Sequence, residues 1–164
     1  MHIARHIPDR VTDALFAGVE RDFQLACKVG GVRGGLGFLN ARTRFRMTVL
    51  CSLADGVDDM MTVYDREDPR SGIVPSLTSL SVAARAFAAS CAPAWAEAGS
   101  AGAVVAHPDG RAWGVLFHYD LRLRIATPTE CSILQHLGNH ISRIWPASLT
   151  VSQQLQRPQL QSPA

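Results

Sequence analysis

The segment from Met60 to Asp68 holds the side chains best suited to bind a small molecule. It combines two methionines with the phenol of Tyr64 and the carboxylate of Asp68. Methionine side chains adapt to irregular apolar shapes, and a ligand pocket usually aims a few polar groups into an apolar hollow. Core methionines beside a surface acid would show the same pattern. We predict that Met60, Tyr64 and Asp68 contribute to a ligand-binding site.

Arginine supplies fifteen of the sixteen Lys and Arg side chains, and five arginines fall at alternate positions of two predicted strands. They are Arg42, Arg44 and Arg46 in one segment and Arg122 and Arg124 in another. If the two strands are neighbours, the sheet carries a basic surface that could contact DNA phosphates or a partner protein. The segments lack stacking aromatic residues and a helix-turn-helix pattern. Direct DNA binding therefore stays open, and solvated or salt-bridged arginines are the alternative.

The histidines and the candidate nucleophiles give little sign of a metal centre or of catalysis. His136 and His140 are four residues apart, a spacing that can place two imidazoles on one metal with His118 as a third ligand. Solvated histidines are the expected alternative. The sequence has no GxSxG motif, and Cys91 has no histidine near it, whereas nucleophilic catalysis requires a base beside the nucleophile. We predict a protein that is not an enzyme and holds no metal or cofactor.

The first part of the chain predicts a helix followed by two strands. Residues 9–28 repeat apolar side chains every four positions, which favours an amphipathic helix, and the glycines at 30–31 end it. The glycine-rich stretch Gly34 to Leu39 is predicted as a strand, paired through a turn at 40–43 with a second strand at 44–53. Phosphate-binding loops precede a helix instead, so we predict no phosphate site here. Alternation in 44–53 predicts one buried and one mostly polar side.

The middle of the chain is less regular. The apolar residues of segment 57–64 fit a helical template, and we prefer a helix to a short strand there. Residues 65–72 are predicted as a loop and residues 80–90 as an Ala-rich helix. Pro93 is unfavourable inside a helix, so we expect a kink or a second short helix that ends at Gly99.

The last part of the chain predicts a hairpin and a capped helix. Residues 103–106 and 112–125 alternate like strands, and the Pro-Asp-Gly turn at 108–110 places a glycine in the left-handed conformation. The sequence Thr-Pro-Thr-Glu at 127–130 is a capping box with proline at the first helical position. The helix is expected to end at Pro146. Together these elements predict an α+β fold with an antiparallel sheet flanked by helices.

Length and composition describe one globular domain. The chain has 164 residues, 47% of them hydrophobic and 18% charged, and a formal net charge of +2, which excludes a disordered chain and a histone-like polycation. We predict a single regulatory domain over 1–146 and a flexible tail over 147–164. The four cysteines lack CxxC spacing and are predicted to be reduced core thiols. Neither a transmembrane run nor a secretory signal is visible, so we expect a cytoplasmic protein without membrane contact.

Parts of the sequence resemble two sensory families. Residues 98–120 and 127–144 resemble the closing half of a GAF-type sensor domain, with a strand, a short turn, a "GVL" strand and a capped helix. The same half, with YDREDP at 64–69 and WAEA at 95–98, resembles the autoinducer-binding domain of LuxR-type quorum-sensing regulators. This resemblance implies GAF-like α-β-α layering and an acyl-homoserine lactone held by Tyr64 and by the carboxylate of Asp68. Trp95 stands where that family has an aromatic residue, which adds it to the predicted ligand-binding residues.

The sequence departs from the LuxR-type pattern in three respects. Met60 stands where that family has a tryptophan, a second tryptophan of that family would fall near Thr78, and no DNA-binding domain is visible. Repressors of the RsaM type are similar in size and likewise act as stand-alone proteins. We therefore predict a non-catalytic negative regulator of an acyl-homoserine-lactone circuit, which acts as a homodimer or through a protein partner. The alternative is a GAF-like sensor module that binds a small molecule.

Overall fold

The described parts of the chain form one five-stranded sheet and two long helices. The computed structural model describes residues 10–52, 61–70, 94–106, 110 and 112–156. The elements in chain order are α1 (Arg10–Asn40), β1 (Met47–Ser52), β2 (Met61–Asp65), β3 (Ala94–Glu97), β4 (Ser100–Ala106), β5 (Ala112–Tyr119) and α2 (Pro128–Gln156). All neighbouring strands are antiparallel, in the order β2-β1-β5-β4-β3. The predicted α+β class with an antiparallel sheet is confirmed.

Strand β5 lies at the centre of the sheet because it pairs with β1 on one side and with β4 on the other. Phe117 of β5 lies opposite Val49 of β1 and also opposite Gly102 of β4. Strands β3, β4 and β5 follow one another in sequence as a meander, whereas β1 and β2 pair with each other at the far side. The ladder between β1 and β5 therefore joins the two halves of the sheet.

Helix α1 consists of two helical segments, 10–29 and 32–40, that meet at Gly30 and Gly31. Gly31 has a φ of 64°, a left-handed conformation that residues with a side chain rarely adopt. The predicted end of the first helix at these glycines is confirmed. The predicted strand at Gly34–Leu39 is wrong, because these residues belong to the second helical segment.

The second segment of α1 is helical because its glycines allow close packing. A Cβ atom at Gly35 would lie 2.3 Å from the Cys27 sulfur and 2.8 Å from Cε2 of Phe23. Leu36 and Leu39 of the same segment are fully buried in the core. Glycine has a low intrinsic helix propensity, so this burial outweighs the local preference.

Two predictions in the middle of the chain are wrong. Residues 61–65 form strand β2 and do not continue a helix, and residues 94–97 form edge strand β3 and not a short helix. Gly99 lies in the tight turn between β3 and β4, with a φ of 87°. A short apolar run does not by itself distinguish a strand from a helical turn. The helix predicted over 80–90 lies outside the described residues.

The start of α2 confirms the predicted capping box. The backbone N–H of Glu130 donates to Thr127 Oγ1 at 3.2 Å, and the backbone N–H of Thr127 donates to Glu130 Oε2 at 2.6 Å. The helix continues through Pro146 to Gln156, so its predicted end at Pro146 is wrong. The division into a domain over 1–146 and a flexible tail over 147–164 stays a prediction. Neither described helix is long and apolar enough to cross a membrane.

The two faces of the sheet are packed differently. Both helices pack on one face, which we call the helix face. The buried core there consists of Val19, Phe23, Leu36, Leu39, Leu50, Ala101, Ala103, Val105, Leu116, Leu134, Leu137 and Ile141. The opposite face, which we call the second face, carries a separate cluster of Met47, Val49, Cys51, Val63, Val115 and Phe117. Neither α1 nor α2, the helices in the described residues, packs on the second face.

Strand β1 is buried on both sides. Thr48 and Leu50 face the helices and are 0% and 3% exposed, while Met47 and Val49 belong to the cluster on the second face. The prediction that one side of this strand is mostly polar is therefore wrong. Two of the polar residues in the alternating pattern, Arg44 and Arg46, precede the strand. A third, Thr48, is accommodated in the core by its hydrogen bonds.

Substitution Gly102→Ala is expected to lower the free energy of unfolding by about 1–3 kcal/mol. The added Cβ atom would lie 2.4 Å from Cη2 of Trp95 and 2.5 Å from Cβ of Phe117. Phe117 is held by the central strand, so the indole must move. Urea unfolding measures the change. Gly18→Ala is the matched control, because nothing lies within 4 Å of its added Cβ; equal stability of the two variants would contradict this packing.

Candidate functional site

Tyr64 lies on edge strand β2 and faces the helices. It is opposite Thr48 in the ladder with β1, and its ring packs against the core of the helix face. A Cβ atom added at Gly37 of α1 would lie 2.9 Å from Cε2 of Tyr64. The ring therefore fills space between α1 and the edge of the sheet, which accounts for an aromatic residue at this position.

Trp95 lies on the opposite edge strand, β3, and on the second face. Its indole N–H donates to Ser100 Oγ at 3.0 Å, and its ring centroid is 6.0 Å from that of Phe117. Strands β2 and β3 form opposite edges of the sheet. The structure therefore does not bring Tyr64 and Trp95 together around one ligand.

The carboxylate buried near Tyr64 is Asp65 and not Asp68. Asp68 is exposed in the segment after β2, and Met60 lies outside the described residues. Asp65 accepts hydrogen bonds from Arg46 Nε at 2.9 Å and from Arg46 Nη2 at 2.7 Å. These bonds hold the pKa of Asp65 below its ordinary value, although burial opposes them. Sequence reasoning missed this pair, which becomes visible only when 61–65 is interpreted as a strand beside β1.

The perimeter of the second face consists of partly buried apolar and aromatic side chains. Met61, Trp95, Val104 and Tyr119 pack there against the buried cluster and are themselves half-buried. They supply a thioether, an indole and a phenol, which are adaptable apolar groups with few polar atoms. This composition is typical of small-molecule sites.

The five predicted surface arginines lie in loops and not on strand faces. Arg42, Arg44 and Arg46 precede β1, while Arg122 and Arg124 follow β5. Met47, at the start of β1, is opposite Tyr119, at the end of β5. The antiparallel pairing therefore brings both groups of arginines to the same end of the sheet.

Ion pairs and ring contacts hold three of these arginines. Arg46 also pairs with Glu67 at 2.9 Å, and Arg124 pairs with the buried Asp120 at 2.8 Å. Burial acts to raise the pKa of Asp120. Hydrogen bonds to the carboxylate, first that from the backbone N–H of Arg122, outweigh burial and hold the pKa below its ordinary value. The guanidinium of Arg42 lies 3.5 Å above the ring of Phe38, a cation–π contact.

A groove of about 880 Å³ opens at this end of the sheet. We call it the arginine groove. It is lined by Ala41, Arg42, Thr43, Arg44, Phe45, Leu123, Arg124, Ile125, Thr127, Thr129, Glu130 and Ile133. One wall comes from the connection between α1 and β1, and the other from the connection between β5 and α2 together with the first turns of α2. The groove combines cationic, hydroxyl and aliphatic groups.

A hydroxyl–imidazole pair lies inside the core and is closed to substrates. Thr48 Oγ1 and His118 Nδ1 are 2.8 Å apart, and Asn40 Nδ2 donates to Thr48 Oγ1 at 3.0 Å. The Thr48 hydroxyl can therefore accept from Asn40 and donate its own proton to Nδ1 in the tautomer that leaves Nδ1 unprotonated. Burial lowers the pKa of His118 to about 4. With Thr48 0% and His118 3% exposed, the pair has a structural role.

Two histidines of α2 bind one glutamate of α1. His136 Nε2 is 3.0 Å and His140 Nδ1 is 2.9 Å from the carboxylate oxygens of Glu20, and the amide of Gln24 lies 2.8 Å from His140 Nε2. Burial lowers the pKa of His140, although Glu20 opposes this effect. His118 lies apart from them in the sheet. Among the described residues, no group of three or more His, Cys, Asp and Glu side chains is placed to hold a metal ion.

Comparison with known proteins shows a likeness of fold. No family model matches the sequence, and no curated protein matches it. Among solved structures, the chain is similar to the crystal structure of the GAF domain from Acinetobacter phosphoenolpyruvate-protein phosphotransferase. The TM-score is 0.59 and the sequence identity 9%, and the match covers 85% of this chain and 98% of that chain. The chain therefore has a GAF-like fold.

Proposed function

We propose that this chain, with its GAF-like fold, is a sensor module that binds a small, mainly apolar molecule at the second face of its sheet. The observation that carries the proposal is the composition of the perimeter of the second face. Both described helices pack on the helix face, while the second face presents Met61, Trp95 and Tyr119 around a buried apolar cluster. The likeness to a GAF domain supports the fold on which this arrangement depends.

The environment of the possible nucleophiles supports a role without catalysis. Burial raises the pKa of Cys27 to about 11 and also raises the pKa of Cys131, so both thiols stay protonated and poorly nucleophilic. Cys51 is fully buried. Thr48, the hydroxyl that contacts an imidazole, has no exposed surface. None of these groups offers a substrate an activated nucleophile.

The quorum-sensing repressor role stays a prediction. A lactone bound as in LuxR-type regulators would use Tyr64, Asp68 and an aromatic residue at Trp95. The described structure places Tyr64 and Trp95 on opposite edge strands and leaves Asp68 exposed. Homodimerisation, a protein partner, DNA contact and a cytoplasmic location also stay predictions. The structure supports the alternative interpretation, a small-molecule sensor, better than the repressor.

A thermal-shift screen tests the sensor proposal. The panel contains acyl-homoserine lactones, nucleotides and neutral heteroaromatic compounds, each at a large excess. A ligand at a hundredfold excess over its Kd adds about 2.7 kcal/mol to the free energy of unfolding. We expect at least one compound to raise the Tm and to shift the indole N–H signal of Trp95 in a ¹⁵N spectrum.

Two conservative variants locate the site. Trp95→Phe should weaken binding of the compound about tenfold or more, because the indole is lost from the second face. Tyr64→Phe should leave binding unchanged, because the Tyr64 ring packs on the helix face. Absence of any stabilising compound would overturn the proposal, and so would binding that depends on Tyr64 and not on Trp95.

A further inference from the structure

We propose that the arginine groove is a second binding site, and that it takes an amphiphilic organic anion with a carboxylate or phosphate head and an aliphatic chain. The groove lies at one end of the sheet and uses none of the residues assigned to the sensor site. The inference therefore goes beyond the proposed function and does not depend on it.

The first observation is an unusual exposure of aliphatic side chains beside the groove. Leu121, Leu123 and Ile125 are 69%, 81% and 78% exposed, and they alternate with Arg122 and Arg124. Single exposed leucines are common on protein surfaces, but three large aliphatic side chains exposed within five residues suit contact with an apolar group. Leu123 and Ile125 also line the groove, where the half-buried Ile133 extends the apolar wall.

The second observation is the charge balance of the lining. It contains three arginines, Arg42, Arg44 and Arg124, against one carboxylate, Glu130. Glu130 is already engaged, because it accepts hydrogen bonds from Thr43 and Thr127. Arg44 is exposed and has no hydrogen-bond or ion-pair partner in the described part of the chain. The groove therefore carries an excess of positive charge that suits an anion.

Two of the three arginines, Arg42 and Arg124, are also held in place before a ligand arrives. Arg42 stacks on Phe38 and donates from Nη1 to the Phe38 carbonyl at 2.9 Å. Arg124 is anchored through Nε to Asp120, which leaves its other nitrogens for a further acceptor. Guanidinium groups bind carboxylates and phosphates through paired hydrogen bonds, and groups that are already ordered lose less entropy on binding.

The shape and lining of the groove favour a small amphiphile over a nucleic acid. Its volume of about 880 Å³ lies within the range of ligand pockets, roughly 300–1,000 Å³. Single-stranded nucleic acids need exposed aromatic rings for base stacking, and Phe45, the aromatic residue of the lining, is 1% exposed. A polyphosphate would leave the aliphatic wall unused, whereas an acyl chain covers it.

Calorimetry with decanoate below its micellar concentration tests the proposal. Acetate serves as the probe for the head group alone, and 1-decanol serves as the probe for the chain alone. We expect decanoate to bind at least tenfold more tightly than either probe, and its affinity to fall as salt screens the exposed arginines. Decyl phosphate tests whether the head group is specifically a carboxylate. Methyl spectra should show shifts at Leu123, Ile125 and Ile133, while the indole signal of Trp95 stays unchanged.

Matched variants separate this groove from the rest of the surface. Arg44→Ala and Ile125→Ser should each weaken decanoate binding about tenfold, and both positions are exposed, so the fold is retained. Arg21→Ala and Leu25→Ser, at exposed positions of α1, should leave binding unchanged. Equal affinity of all four variants would overturn the proposal. So would binding of an acidic peptide, a DNA duplex or anionic vesicles at these methyl groups without binding of decanoate.

Discussion

Replacing Asn40 with alanine is expected to lower the free energy of unfolding by about 3–4 kcal/mol. Asn40 is 1% exposed, and its amide donates to the carbonyl of Phe45 and to Thr48 Oγ1. It also accepts hydrogen bonds from Arg66 at both its side-chain and its backbone oxygen. A buried polar group that loses its partner costs roughly 1–3 kcal/mol, and the side chain of Asn40 serves several such groups at once.

Urea denaturation of the purified variant measures this effect. Gln135→Ala is the control, since Gln135 is an exposed residue of α2 and alanine is the best helix former. It should change stability by less than about 0.5 kcal/mol. A loss in Asn40→Ala no larger than that in the control would contradict the role of Asn40 as the link between the end of α1 and the start of β1.

Stability is expected to fall by about 3 kcal/mol as the pH is lowered from 6.5 to 4, because of His118 alone. The folded protein holds the pKa of His118 at about 4, mainly by burial, against 6.5 in the unfolded chain. Glu130 raises this pKa and Arg66 lowers it, but both effects are smaller than that of burial. Between these two pKa values the unfolded chain binds a proton that the folded protein does not, which costs about 1.36 kcal/mol per pH unit. Above pH 6.5 the full stability is present, and below pH 4 no further loss comes from this group.

The variant His118→Gln isolates this contribution. Its side chain still offers an acceptor to the Thr48 hydroxyl, but it does not titrate. We expect denaturation curves between pH 4 and 7 to show a shallower pH dependence in the variant than in the natural protein. The lowered pKa of His140 acts in the same direction and should persist in both proteins. Identical slopes would mean that His118 is protonated or solvated in the folded state.

The elements with strong local signals were predictable from the sequence. Alternation gave β1 and β5, although β5 ends at Tyr119 and the predicted strand ran on to residue 125. The capping box at Thr127 and the glycine break at Gly31 depend on a few neighbouring residues and were found. Gly110 has a φ of 88°, as expected for the turn before β5.

The elements decided by packing were not predictable in this way. The glycine-rich second segment of α1 is helical because Leu36 and Leu39 fill the core, and glycine composition alone argues against a helix. Strand β2 is defined by its pairing with β1, which a helical template over 57–64 does not reveal. Alternation also does not show whether the polar side of a strand faces water or, as at Thr48, a satisfied polar network.

For the candidate sites, too, the residue types were predictable from the sequence but their positions were not. Residue types indicated a ligand site near Tyr64 and a basic surface from the arginines, but their placement depends on the fold. Pairing of β1 with β5 gathers the arginines at one end, beside aliphatic residues whose alternation in the sequence predicts a strand. The same topology separates Tyr64 from Trp95 and leaves Asp65, rather than Asp68, as the buried acid.

The central position of β5 has a consequence for how the protein folds during synthesis. Thr48 and His118 are bonded in the sheet although 70 positions separate them in the chain. A nascent chain that has released α1, β1 and β2 from the ribosome still lacks the strand that completes the middle of the sheet. Contacts between such distant residues slow folding, because the intervening loop must close before any pairing energy is gained. We expect truncated chains that end before β5 to lack a completed sheet and to associate through the unpaired edge of β1.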